Sequence, residues 1–137
     1  TLYDEILEKA ISIWVGSSNA SRIDEINILK ATYEAMNNAI ADMDPQPSLL
    51  LVDAETIPNL SIEQVSIVKG DSKSISIAAA SIVAKVIRDR LMVAYDKVFP
   101  QYNFASNKGY GSKEHIEAIK KYGPCPIHRR SFIKNFI

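Results

Sequence analysis

The stretch "SLLLVD", residues 48–53, decides the reading of the fold. It is a short, continuous apolar run that follows Pro45 and Pro47 and ends in an acid, the pattern of a buried strand rather than of a helix. "QVSIVK", residues 64–69, is a second such run, set off by a turn around Pro58 and Asn59. Upstream, "ISIWVGSS", residues 11–18, alternates Ile11, Ile13 and Val15 with Ser12 and Trp14, which predicts a further strand. Between residues 18 and 45 a helical pattern runs through Ile23, Ile26, Leu29, Met36 and Ile40; Ser21 is its expected cap, with Asp24 three residues on. A crossover of that length would let strands 11–18 and 48–53 lie parallel. Further helices are expected over 2–10, over 75–98 ahead of Pro100, and in "SKEHIEAIKKY", residues 112–122, closed by Gly123 and Pro124, with a polar loop between the last two. Strands among helices define an α/β class.

Composition bounds the rest. The chain has 137 residues, 47% of them hydrophobic, which fits one globular domain with a substantial core. Sixteen basic and sixteen acidic side chains cancel, so a nucleic-acid site must depend on local patches. Cys125 is the only cysteine, which excludes an intramolecular disulfide and a thiolate metal cluster; a small buried thiol in a reducing cytoplasm is the plain expectation. No apolar run reaches the roughly 18–20 residues a membrane helix needs, and no export signal opens the chain, so a soluble, cytoplasmic protein is expected. Thr1, in place of Met, directly before a helical pattern, leads to the expectation that residues upstream are missing.

Two acids fall where apolar packing would be disturbed. Asp53 ends its strand, and ligand crevices form at the carboxyl ends of strands in open α/β sheets, although such a residue can also simply open a turn. Asp89, in "ASIVAKVIRDRLMVAY", residues 80–95, shares a helical stripe with Ala78, Ile82, Val86, Val93 and Ala94. A carboxylate on such a stripe has to be paired, for example with Lys85 or Arg88, or hydrogen-bonded, protonated or bound to a cation. Oxygen ligands of this kind suit Mg²⁺ or Mn²⁺. Zinc is not expected, because only His115 and His128 are available and neither stands four residues from another ligand.

Three loops complete the inventory. "VKGDSKS", residues 68–74, centres Lys69, Asp71 and Lys73 on a glycine and could offer backbone N–H groups and a lysine to a phosphate, without matching a Walker pattern. "NKGYGSKEH", residues 107–115, sets Lys108, Tyr110 and Lys113 about two glycines, which suits stacking on a sugar or base beside phosphates. "HRRSF", residues 128–132, is a basic patch or a solvated tail, and His115 reads as structural.

Taken in order, "IDEINILKAT", "LLLVDAE", "IVKGDSKSISIAAASIVAKVIRDR", "FPQYNFASNKGYGSKEH" and "HRRSF" closely resemble ribonuclease HII, the type 2 ribonuclease H, across nearly the whole chain. The resemblance implies a ribonuclease H-like mixed sheet flanked by helices, in a single domain over 1–137. It implies an endonuclease that cuts the RNA strand of RNA·DNA hybrids, and ribonucleotides embedded in duplex DNA, leaving 5′-phosphate ends. Two divalent metals, Mg²⁺ or Mn²⁺, would be held by four carboxylates, of which Asp53 and Asp89 match two. Tyr110 matches the tyrosine that packs on the deoxyribose beyond the ribonucleotide. Asn27, Lys69, Lys108, Arg129 and Arg130 are further candidate nucleic-acid contacts. A monomer without membrane association is the simplest expectation.

The resemblance also has gaps. The family's Asp-Glu pair on the first strand and the following Gly-Arg-Gly are absent; Asp4-Glu5 and Asp24-Glu25 lie in helical patterns and do not replace them. The first strands of the fold are therefore expected to be absent from this chain, and the chain alone is expected to be inactive or weakly active. Ala54 stands where the family usually has Gly, which is strained if φ there is positive. Ser112 stands where Thr is commoner and keeps the hydroxyl. A non-catalytic module binding hybrid duplexes through Lys69, Tyr110, Arg129 and Arg130 is the alternative, and a protein-interaction domain with remnant motifs is a third.

Overall fold

A computed structural model of the chain describes residues 1–137, which divide into two compact units: residues 1–18 with 29–85, and residues 19–28 with 86–137.

The first unit begins with helix α1 (Leu2–Lys9), capped by the Thr1 hydroxyl, which accepts from the Asp4 amide. Residues 12–19 then form no strand, contrary to the alternation read from Ile11, Ile13 and Val15. The chain instead lies against α3 (Ile28–Asp42): a Cβ built on Gly16 would stand 1.8 Å from the Ala35 carbonyl oxygen, so only glycine fits that approach. The sheet consists of β1 (Leu49–Asp53) and β2 (Glu63–Ile67), paired parallel in the register Leu49 with Glu63 through Asp53 with Ile67. Within this chain the sheet is thus parallel and two-stranded rather than mixed. The strands are also less buried than their apolar runs suggest, since only Val52 is fully covered and Leu49, Leu51 and Val65 are exposed.

Val52 packs with Ile40 and Ile57, and Met36, Leu50, Leu60 and Ile62 close around them. Gln64 fixes the connection between the strands by accepting from the Ile57 amide at 2.7 Å and donating to the Ile57 carbonyl at 2.8 Å. Gln46 does similar work just after α3, donating to the Ile40 carbonyl at 2.8 Å, which also accepts from the Met43 amide, and to the Met43 carbonyl at 2.7 Å. The short helix α4 (Gly70–Lys73) follows β2, and Ser74 then caps α5 (Ile75–Val98) by accepting from the Ile77 amide.

In the second unit α2 (Ala20–Ile26) is capped by Asn19, which accepts from the Arg22 amide at 2.8 Å; Ser21 is not the cap. The expected single long helix is broken at Asn27, whose φ of 79° separates α2 from α3. A 3-10 turn (Pro100–Tyr102), α6 (Phe104–Asn107), α7 (Lys113–Tyr122) and α8 (Arg130–Ile133) follow α5. The expected polar loop after α5 supplies the centre of the core, because Tyr102 and Phe104 are each 1% exposed and their rings stack at 5.3 Å. Met92, Ile119, Cys125 and Ile133 complete that core, and Cys125 is the buried thiol expected of it. No helix is long and apolar enough to cross a membrane.

Candidate functional site

In the first unit, the end of β1 and the start of α4 build one cluster. Gly70 donates its amide to Asp53 Oδ1 at 2.9 Å, and the Ala54 amide continues the ladder to the Ile67 carbonyl at 3.0 Å. The carboxylate is therefore steadied at one oxygen while Asp53 remains exposed. A Cβ on Gly70 would lie 2.6 Å from Ile77 Cδ1 and 3.4 Å from that same Oδ1, so a larger residue would have to displace the end of the Ile77 side chain. Two flanking residues adopt left-handed backbone: Ala54 at φ 60° and Lys69 at φ 54°. The strain expected at Ala54 is thus present, at a cost of about 1 kcal/mol for a residue with a Cβ. Lys69 is exposed, on the turn that leads into the Gly70 amide.

Asp89 lies in the part of α5 that belongs to the second unit and is half-buried. The stripe assigned to it holds on one side, where Ala78, Ile82 and Val86 are half-buried, and fails on the other, where Val93 and Ala94 are exposed. The fully buried positions of α5 are Ile77, Val83 and Met92, none of which belongs to the stripe expected from the sequence.

The second cluster surrounds Tyr110, whose side chain is among the most exposed large ones at 70%. Its backbone, by contrast, is held tightly. Asn107 donates to the Tyr102 carbonyl at 2.6 Å and accepts from the Gly109 amide at 2.8 Å, and its own carbonyl accepts from the Tyr110 amide at 3.0 Å. The Tyr110 carbonyl accepts from the Ser112 amide at 2.9 Å and meets His115 Nδ1 at 2.7 Å. Lys108, at φ 55°, turns its amine back onto the Ala105 carbonyl. Gly109, at φ 85°, leaves room for Met92 Cε and Arg88 Nη2, which would lie 3.1 and 3.4 Å from an added Cβ.

The basic tail joins this cluster. Arg129 lies over the Phe132 ring at 3.8 Å, and burial together with the nearby Arg88 pulls its guanidinium below its ordinary value, against the pull of Asp24. Arg130 is exposed, and its amide donates to Asp24 Oδ2 at 2.8 Å; the Ser131 amide and hydroxyl donate to Asp24 Oδ1 at 3.0 and 2.6 Å. Partial burial works to raise the Asp24 carboxyl, yet these bonds hold it below the usual carboxylate value. Asn27 is exposed at the end of α2. The sequence points to Arg88 only as a partner for Asp89 and to Asp24 only as part of a helix start, and nothing in it points to Asn107. The bonds of Asn107 are all to residues within five positions of it, whereas the role of Asp24 depends on Arg130 and Ser131, more than a hundred residues away.

A family model for ribonuclease HII matches residues 3–135. The chain belongs to the ribonuclease HII family. Ribonuclease HII of Lachnoclostridium phytofermentans is 69% identical over 134 residues, covering 98% of this chain and 53% of that protein. The ribonuclease HII of Caldanaerobacter subterraneus subsp. tengcongensis is 60% identical, covering 99% and 56%, and that of Clostridioides difficile 59% identical, covering 99% and 53%. The chain spans about half the length of these curated ribonuclease HII relatives. No group of three or more His, Cys, Asp or Glu side chains is placed to hold a metal ion. What Asp53 offers is a single exposed carboxylate with Oδ2 left without a hydrogen-bond donor, a hard oxygen ligand of the kind Mg²⁺ and Mn²⁺ accept alongside water and phosphate.

Proposed function

We propose that this chain takes part, as a cytoplasmic monomer, in endonucleolytic hydrolysis of the RNA strand of RNA·DNA hybrids and of ribonucleotides embedded in duplex DNA, leaving 5′-phosphate ends. The observation that carries the reading is the pairing of family membership with a strand-end Asp53 whose Oδ1 is fixed by the Gly70 amide. Both compact units are read as parts of one ribonuclease H-like domain. Asp53 and Asp89 are the proposed ligands of Mg²⁺ or Mn²⁺. Bound there, such ions would activate a water and neutralise charge on the scissile phosphate. The Tyr110 ring would stack on a sugar of the duplex from its fixed backbone, while Lys69, Arg129, Arg130 and Asn27 would meet phosphates and sugars and set the register. Lys108, with its amine on Ala105, would act mainly by shaping the loop. Because this sequence supplies two of the family's four carboxylates, turnover by the chain alone is expected to be weak.

The test is cleavage of a labelled duplex with one embedded ribonucleotide, in Mn²⁺, beside Mn²⁺ binding followed by electron paramagnetic resonance. Asp53→Asn and Asp89→Asn should each bring cleavage to background and weaken ion binding while hybrid affinity stays within about threefold. Undiminished turnover in Asp89→Asn would overturn the assignment.

A second reading, a hybrid-binding module without catalysis, is favoured by the exposed Tyr110 ring on a rigid loop together with the absence of a three-ligand cluster. Salt-sensitive hybrid binding that is identical with and without chelator, and no cleavage under any condition, would select it.

A further inference from the structure

His115 and His128, the two buried polar side chains of the molecule, meet at 2.9 Å between their Nε2 atoms. Their outer nitrogens face groups of fixed hydrogen-bonding sense. His128 Nδ1 lies 2.9 Å from the Cys125 amide, which can only donate, so that nitrogen carries no hydrogen. His115 Nδ1 lies 2.7 Å from the Tyr110 carbonyl, which can only accept, so that nitrogen must carry one. Neutral imidazole has one N–H, and the shared contact is then settled: His128 Nε2 donates and His115 Nε2 accepts.

We propose that His115 and His128 are positioning residues for Tyr110, forming one proton-ordered chain from the Cys125 amide to the Tyr110 carbonyl that fixes the backbone beneath the exposed ring. The inference rests on the reading of Tyr110 as a nucleic-acid contact and adds what holds it. An extra proton on either ring breaks the chain. On His115 it sets two N–H groups against each other at the Nε2 contact; on His128 it sets an N–H against the Cys125 amide.

The surroundings favour a neutral His128. Tyr102 meets the His128 ring edge-on at 4.8 Å and Phe104 meets the His115 ring edge-on at 5.6 Å, so the walls are aromatic. The other titratable or charged groups near the pair are Tyr102, Cys125 and Arg130. Burial raises the Tyr102 phenol and the Cys125 thiol, keeping both uncharged, and Arg130 opposes a second positive charge. Burial, His115 and Arg130 together push His128 down to about 4. The arrangement therefore holds through the neutral range and is lost in acid.

The chain itself, labelled with ¹⁵N, tests this directly. Long-range proton–nitrogen correlation spectra at pH 7 should show His128 as the Nε2–H tautomer and His115 as the Nδ1–H tautomer. Either ring in the other tautomer at pH 7, or His128 cationic at pH 6, overturns the proposal. Affinity for a short RNA·DNA hybrid then reads out the consequence. Tyr110→Ala should weaken binding about tenfold, the scale of one stacked base. His115→Ala should weaken it comparably, and His115→Asn, whose amide N–H can take the place of Nδ1–H, should restore affinity to within about twofold of wild type. Equal loss in His115→Asn and His115→Ala would refute the positioning role. If Tyr110→Ala leaves affinity unchanged, the stacking reading falls instead, and the tautomer spectra still decide whether the proton-ordered chain exists.

Discussion

The Gly70 amide reaches Asp53 Oδ1 at 2.9 Å, and a Cβ on the same glycine would press on the Ile77 side chain, 2.6 Å from its Cδ1. The strand-end carboxylate and the turn after β2 are thereby fixed to each other. Gly70→Ala should force Ile77 or the turn to move, destabilising the chain by roughly 1–3 kcal/mol and weakening Mn²⁺ binding. Urea unfolding and paramagnetic resonance would measure the two effects. Wild-type values for both would mean that the contact does not hold Asp53.

Ala54 makes the opposite case. With φ at 60°, its Cβ crowds the backbone, and Ala54→Gly should raise stability by about 0.5–1 kcal/mol. A higher urea midpoint with an unchanged slope is the expected result.

Asp24 caps α8 from a distant part of the chain through Arg130 and Ser131. Asp24→Ala should cost about 1–2 kcal/mol, as losing a helix cap does, and should speed hydrogen exchange at the Arg130 and Ser131 amides. Because the folded-state carboxyl is held below its value of 3.8 in the unfolded chain, its contribution is present above that value and is lost as pH falls below it. Amide exchange of Arg130 and Ser131 that is the same in wild type and variant would contradict the cap.

His128 sets a second acid dependence, in a higher window. Its folded-state value of about 4 lies below the 6.5 of a free imidazole, so between these two values the unfolded chain binds more protons. Stability from this group is complete above about pH 6.5 and declines as pH falls toward 4, by about 3 kcal/mol in all. Urea midpoints measured from pH 7.5 to 4 should show that slope in the wild type and a shallower one in His128→Gln. Equal slopes would place the titration elsewhere.

Much of this architecture is legible in the residues. The strands at 48–53 and 64–69 stand out because continuous apolar runs between prolines and turns leave few other choices, and the helices over 2–10, 75–98 and 112–122 are marked by their caps and stops. Residues 11–18 mislead because alternation records only which side chains are apolar; Gly16 lets that backbone press onto α3, and no ladder forms. Asn27 breaks a pattern that stays periodic across it, which apolar spacing cannot register. Tyr102 and Phe104 sit in a segment whose polar neighbours point to a loop, and their burial depends on α7 and the tail folding over them. Asp53 and Tyr110 could be singled out from their local settings. The pairing of His115 with His128 could not, since it arises only when residues 123–128 turn back on α7.

Lys69 and Lys108 share a backbone habit that suits asparagine or glycine better, and each directly precedes a glycine. Their side chains are used differently: the Lys108 amine ties its own loop to Ala105, whereas Lys69 is exposed to solvent. Under selection for heat resistance alone, position 69 would drift readily toward glycine or asparagine and position 108 would resist. Selection for grip on a polyanion would hold lysine at 69 against that drift, so the residue recovered there would report which pressure had acted.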